Sequence, residues 1–360
     1  MRCCTRKRAL RFTASLAILT IAFACDKPSE PEPFFREDLH PFGFLTEAHS
    51  RIIGNFPDIN FLTDDLVLVT VNSRVYGPVE ESLSDKPLSK LLLFDASRGT
   101  LLKTTEMPVE KNVGSVRATR NGEFALLNES GLRLCSRELQ CGLPIATRGP
   151  LFVSLGGTRI VVGGNGQTEQ KLLDGASLTE LEHFPWMNPS IIPGDSGLLI
   201  RKDNELYVRL PAKPDQRLPF GGLGIWPEAR FLNSNAIADF ESDKVLAVAR
   251  TDGSIRFRVP VIARWDVTDI STTASGSRFC FHEAGYTRFN SILNFYDIES
   301  SRPLNFESVN VLSTDSGKSL LKLRWDPRPY VGYLSTPALS PDGHRLAMIR
   351  NGFLEVFEIQ

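Results

Sequence analysis

Along most of the chain, apolar residues come in short runs of three or four, and a polar turn opens each run. Asp64-Asp65 precedes Leu66-Val-Leu-Val69, and Asn121-Gly122 precedes Phe124-Ala-Leu-Leu127. Gly156-Gly157 precedes Ile160-Val-Val162, and Asp195-Ser-Gly197 precedes Leu198-Leu-Ile200. Ser242-Asp243 precedes Val245-Leu-Ala-Val248, Ser275-Gly276 precedes Phe279-Cys-Phe281, and Ser340-Pro-Asp-Gly343 precedes Leu346-Ala-Met-Ile349. Apolar runs of this length, bounded by Gly and Asp, predict strands buried on both faces. Alternating, half-buried segments follow them, as in Phe353–Ile359 after Asn351-Gly352, a dipeptide that supplies the positive φ of a tight hairpin.

Between Asp65 and Gly343 the seven turns recur at a mean spacing of about 46 residues. A repeat of about 40–50 residues with several strands in each unit predicts a β-propeller. The motif Ser-Pro-Asp-Gly-x-x-Leu-Ala at 340–347 resembles the WD-repeat-like propellers of bacterial envelope proteins, including the YVTN-type group. As a pattern the resemblance runs over roughly residues 50–360, and its motif is strongest in the last unit. It implies the fold and says little about function. The expected architecture is all-β: a seven-bladed propeller of four-stranded antiparallel blades over 41–360, closed by an N-terminal strand in the last blade. The final unit stops at Gln360 without an outer strand, and Arg51-Ile-Ile-Gly-Asn-Phe-Pro57 resembles outer-strand segments elsewhere, so residues around 50–56 are expected to supply it. Two repeats are long. The excess maps to insertions near 75–90 and 286–307, the second competing with an eighth, incomplete blade.

The N-terminus has a different logic. Arg2, Arg6, Lys7, Arg8 and Arg11 precede an apolar run, Phe12–Ala24, that is too short for the roughly 20 residues of a spanning helix. Ala22-Phe-Ala24 is a small-x-small cleavage pattern, and Cys25 follows it at once. This arrangement resembles the bacterial lipoprotein signal, which implies a signal peptide over 1–24 and lipidation of Cys25; plain secretion is the alternative. Residues 25–40, Pro-rich and polar at first, are expected to be a lipid-anchored or flexible tether. The formal net charge is -1, and loss of the five leader cations takes it to about -6. That balance excludes a nucleic-acid footprint and polybasic membrane docking, so the only membrane contact expected is the N-terminal lipid. Cys135 and Cys141 are candidates for a disulfide across a turn, with two reduced thiols as the alternative, and Cys280 reads as a buried small hydrophobe.

Candidate chemistry is sparse. Trp186, Trp226, Trp265 and Trp325 all fall where one unit's outer strand passes to the next unit's inner strand. Arg264, Asp266, Arg324, Asp326 and Arg328 accompany them, a composition suited to a protein or glycan partner. An inter-blade packing slot for the tryptophans is the competing reading. The chain has no Gly-x-Ser-x-Gly, His-Glu-x-x-His or Cys-x-x-Cys. Gly163-Gly-Asn-Gly166 and Gly221-Gly-Leu-Gly224 read as turns, Asp239–Asp243 as an inter-strand turn lacking calcium-loop spacing, and His282-Glu283 as an isolated pair at a strand end. Neither cofactor nor metal is expected. The sequence favours a monomeric, extracytoplasmic binding or scaffold protein over an enzyme or enzyme subunit, of the propeller lactonase or dehydrogenase kind, with groups converging at the channel mouth.

Overall fold

The computed structural model describes residues 31–44, 53–55, 58–75, 88–108, 115–128, 130–147, 149, 151–154, 156–163, 169–185, 190–191, 197–202, 205–210, 213–219, 229–262, 267–286, 304–325 and 337–360. The expected signal peptide, Cys25 and the first part of the expected tether lie outside them. From Pro33 onward the chain is one compact unit. Its first strands are β1 (Phe35–Asp38) and β2 (Ile53–Asn55), and seven antiparallel sheets follow. Blade 1 holds β3 (Asp58–Phe61), β4 (Leu66–Val75), β5 (Leu88–Asp95) and β6 (Thr100–Pro108). Blade 2 holds β7 (Ser115–Ala118), β8 (Phe124–Asn128) and β9 (Gly131–Cys135). Blade 3 holds β10 (Leu151–Val153), β11 (Arg159–Gly163), β12 (Glu169–Asp174) and β13 (Glu180–Pro185). Blade 4 is the slightest, with β14 (Ser190–Ile191), β15 (Leu198–Lys202), β16 (Glu205–Arg209) and β17 (Gln216–Arg217). Blade 5 holds β18 (Arg230–Asn233), β19 (Ala236–Ser242), β20 (Val245–Ala249) and β21 (Ile255–Pro260). Blade 6 holds β22 (Val267–Thr272), β23 (Arg278–Tyr286), β24 (Leu304–Ser313) and β25 (Ser319–Trp325). Blade 7 holds β26 (Ala338–Leu339), β27 (Arg345–Arg350) and β28 (Phe353–Glu358), with β1 as its outer strand. The protein is a seven-bladed β-propeller.

Burying both faces of the second and third strands requires a neighbouring blade on each side. The core accordingly divides into seven clusters, one in each seam of the ring. The cluster between blades 7 and 1 closes the circle and includes Phe35 and Leu39 beside Val67, Phe94, Ala347 and Val356. Side chains also stitch the seams with hydrogen bonds. Asn60 of β3 donates to the Val116 carbonyl at 3.0 Å and accepts from the Ala118 amide at 3.2 Å, while Arg278 of blade 6 donates to the Gly343 carbonyl of blade 7 at 2.8 Å.

Three details differ from the sequence reading. Residues 50–56 do not complete the last blade: Ile53–Asn55 pairs with Ser73–Val75 of β4 and extends blade 1. The outer strand is Phe35–Asp38, paired antiparallel with Phe353–Val356. Its polar residues disguise it, because only Phe35 enters the core, where its ring lies 5.9 Å from that of Phe94. Gly99, at φ +63°, makes room for it; a Cβ there would stand 2.8 Å from the Phe35 ring. Second, the turn opening blade 5's second strand is Ser234-Asn235, and Ser242-Asp243 opens its third. Both strands are apolar, so their runs look alike, and Asn233 Oδ1 holds the glycine-free turn by accepting the Asn235 amide at 2.9 Å. Third, Asp239 belongs to β19 rather than to a turn.

Blade 2 fills its fourth position irregularly. The segment after β9 returns along it through bridges at Leu132–Ile145 and Cys135–Cys141, and the two cysteines are joined as a disulfide. The long strands of blade 6 pair directly, Arg278–Tyr286 against Leu304–Ser313. Most of the expected insertions near 75–90 and 286–307, namely residues 76–87 and 287–303, lies outside the described residues.

A chain beginning at Pro33 should melt with the full mature protein, whereas one beginning at Leu39 should melt many degrees lower because β28 loses its partner. Scanning calorimetry of the two truncations checks this; equal melting temperatures would contradict the assignment of β1. Replacing both Cys135 and Cys141 by serine should cost about 2 kcal/mol, read from urea midpoints, since the closed loop is short.

Candidate functional site

Strand direction gives the ring two unlike faces. Turns between first and second strands, and between third and fourth, share one side, here the turn face. Connections between second and third strands, and from each blade to the next, share the other, the connection face.

The turn face is short and self-satisfied. Asp95 Oδ1 accepts the Ser97 amide at 2.9 Å and its hydroxyl at 2.6 Å. Asp252 accepts the Ser254 amide at 2.8 Å and hydroxyl at 2.6 Å, and Asp342 accepts the Ser340 hydroxyl at 2.6 Å and the His344 amide at 2.9 Å. These bonds favour the charged form and hold the carboxyls of Asp95 and Asp252 below their ordinary range, and in Asp342 they outweigh partial burial. No Phe, Tyr or Trp occurs in the sequence of these turns, although Phe34, just before β1, is half exposed; Tyr76, Trp186, Trp226, Trp265, Tyr296, Tyr330 and Tyr333 fall in the sequence of the connecting segments, outside the described residues.

Trp186, Trp226, Trp265, Arg264, Asp266, Asp326 and Arg328 lie outside the described residues. Trp325 and Arg324, at the end of β25, separate. Arg324 lays its guanidinium 4.1 Å from the centre of the Phe306 ring, on the side facing blade 5. Trp325 points the other way, into the seam with blade 7, where it is only 8% exposed and packs with Val309, Leu323 and Phe357. It fills the packing slot.

Around Trp325 lies a polar cluster that the sequence reading missed. Adjacent residues of a strand face opposite sides, so His282 and Glu283 part company. Glu283 accepts the Ile262 amide at 2.9 Å and the Ser308 hydroxyl at 3.3 Å. His282 stacks parallel on Trp325, ring centres 6.1 Å apart, and burial brings its pKa down to about 4. Glu307, opposite Trp325 in the β24–β25 ladder, is pushed up to about 7 by burial. The Trp325 indole N–H opposes that rise but approaches Glu307 without the alignment of a full hydrogen bond. Blade 7 contributes Arg350, 6.0 Å from the Trp325 ring, and Glu355, whose side chain is 1% exposed. Arg350 Nε lies 2.6 Å from one Glu355 oxygen and Arg36 Nε of β1 lies 3.4 Å from the other. Arg36 also covers the Phe353 ring at 4.1 Å. The seam therefore balances one buried carboxylate with two guanidinium groups and keeps a neutral imidazole beside an acid that holds its proton to near-neutral pH. Among the described residues no three His, Cys, Asp or Glu side chains stand together as metal ligands. Asp239, 1% exposed, caps its neighbour's amide at 2.8 Å.

These two shifts pull stability in opposite directions. Unfolded His282 takes up a proton near 6.5 and folded His282 only near 4, so stability falls as pH drops across that interval. Folded Glu307 protonates from about 7 and its unfolded form from 4.5, so stability rises as pH drops between those values. In the shared window their contributions cancel. Glu307→Gln should therefore lose stability on acidification from 6.5 to 4, while His282→Asn should gain it from 7 to 4.5, each on the order of 2–3 kcal/mol. Urea midpoints across pH read both slopes; slopes of the same sign would contradict the burial of these groups.

No family model matches the chain, and no curated protein sequence does. Among solved structures it is similar to a chain of the crystal structure of the mitotic checkpoint complex, a WD40 propeller, with a TM-score of 0.52 and 12% sequence identity over 92% of this chain and 96% of that one. At that identity the likeness establishes a shared fold.

Proposed function

We propose that this chain is an extracytoplasmic binding scaffold, lipid-anchored through Cys25, that engages a protein partner with its connection face. The observation that carries this reading is the division of aromatic residues between the two faces. Trp186, Trp226 and Trp265 fall in sequence between blades, in the connections of one side, whereas the turns of the other side have no aromatic residue and Phe34, beside the start of β1, is the exposed aromatic nearest to them. Tryptophan and tyrosine bind protein surfaces at low entropic cost, and a rigid ring presents them without further ordering. The solved neighbour supports a protein partner over a glycan, because its propeller belongs to a multi-protein complex. Export is supported by the leader pattern at 1–24 and by a disulfide that suits an oxidising compartment. The compact unit carries its own seven-seam core, which is consistent with a monomeric ring.

Crosslinking in a bacterial envelope, followed by capture of the tagged protein, tests the reading. The double variant Trp226→Ala/Trp265→Ala should lose most of the crosslinked partner while its melting temperature shifts by no more than a few degrees. Undiminished capture by that variant would overturn the assignment of the face, and a captured species resistant to protease but cleaved by glycanases would replace the protein partner with a glycan. Trp325→Ala, by contrast, should cost about 3 kcal/mol of stability, because it empties a buried slot.

A further inference from the structure

We infer that the central channel holds a binding site for a monocarboxylate with an apolar body, built on Arg230 and Phe152. The site stands apart from the partner surface proposed above and does not depend on it. The first strands of the blades form the channel wall. Arg230 opens β18 in blade 5, and Phe152 is the middle residue of β10 in blade 3. Blade 4 stands between them in the ring, and its first strand is only Ser190–Ile191. Even so, the Arg230 guanidinium carbon lies 5.7 Å from the centre of the Phe152 ring. Side chains of two blades that are not neighbours meet only at the channel, over the inner edge of β14. Neither is sealed there, since both are partly exposed. Phe152 also packs into the seam with blade 4 beside Val161, Ile191 and Ile200, which holds its ring in place against the cation.

What the guanidinium lacks is an acceptor. Among the described residues none accepts a hydrogen bond from Arg230 and no carboxylate pairs with it; the Phe152 ring is its contact. Other arginines of the ring are served. Arg117 of β7 donates to Asp58 Oδ1 at 3.1 Å and to the Val116 carbonyl at 2.7 Å, and Asp58 Oδ2 accepts the Val116 amide at 3.1 Å. Arg209 meets both oxygens of Asp215, at 2.9 and 3.0 Å. Arg230 has no such counter-charge. Its planar fork carries five N–H donors, and partial burial takes water from them without returning an acceptor. A cation–π contact leaves those donors unused. A carboxylate fits the fork in a bidentate pair and cancels its single charge, whereas a phosphate dianion leaves one negative charge over. The Phe152 ring beside the fork then favours an acid whose body is apolar, an aromatic one best of all. A small free acid and the C-terminal carboxyl of a peptide share this chemistry.

Thermal unfolding of the full chain at fixed ionic strength tests the site, with benzoate as the probe. Millimolar benzoate should raise the melting temperature by a few degrees, with saturation, because it binds only the folded ring. Arg230→Gln should abolish the shift and Phe152→Leu should weaken binding several-fold, while both variants without benzoate melt within a few degrees of the parent. Arg230→Lys keeps the charge and loses the fork, so it should bind several-fold more weakly; it carries the test if the glutamine variant does not fold. Acetyl-Ala-Phe and its C-terminal amide separate the two sources of the carboxylate. Stabilisation by the peptide acid and not by its amide assigns the site to a peptide terminus, and stabilisation by benzoate alone assigns it to a free acid. No shift of the parent with any of these probes, an equal shift in Arg230→Gln, or a larger shift with inorganic phosphate than with benzoate overturns the site.

Discussion

A ring of sheets has a problem that an open stack does not: its first and last members must find each other across the whole length of the chain. Here four residues solve it. Pairing of Phe35–Asp38 with Phe353–Val356 joins residues more than 300 positions apart, and it places Phe35 and Leu39 in the seam shared by blades 7 and 1. Every other seam draws on neighbours in sequence, so it forms at a small loop-closure cost; this one does not. The turn face adds two hydrogen bonds across the same seam: the Asp342 amide donates to the Asp64 carboxylate at 2.8 Å and the Arg345 guanidinium to the Asp64 carbonyl at 2.8 Å.

The repeat was legible because its physical cause is local. A strand buried on both faces must be apolar throughout, and a hairpin needs residues that tolerate positive φ, as Asn351 and Gly352 do at 52° and 82°. Those two demands, repeated seven times, gave the blade count. They could not distinguish second from third strands, since both are buried alike, and so the blade 5 turn was displaced by one strand. Nor could they find β1. One face of that strand meets the core through a single phenylalanine, while Arg36 and Asp38 stay largely exposed, and a four-residue segment with one buried side chain looks like tether.

The candidate site divides along the same line. The tryptophans stood out because they recur at equivalent positions, yet recurrence alone cannot separate a packing slot from an exposed platform; Trp325 occupies the slot. The cluster around it was invisible because its members come from six strands. His282, Glu307 and Trp325 meet Arg350, Glu355 and Arg36 only when blade 7 docks on blade 6. Removing Arg350 leaves the Glu355 side chain buried with only the largely exposed Arg36 beside it, which makes this seam sensitive to substitution in a way that the apolar seams are not.

Ring closure by β1 is the claim on which the faces and the seams both depend. Native-state hydrogen exchange tests it most directly. If β1 is an integral strand, amides of the peptide 33–39 exchange only when the ring opens, with the same protection as those of 345–358. Exchange of 33–39 within seconds, as in a free tether, while 345–358 stays protected, would contradict it.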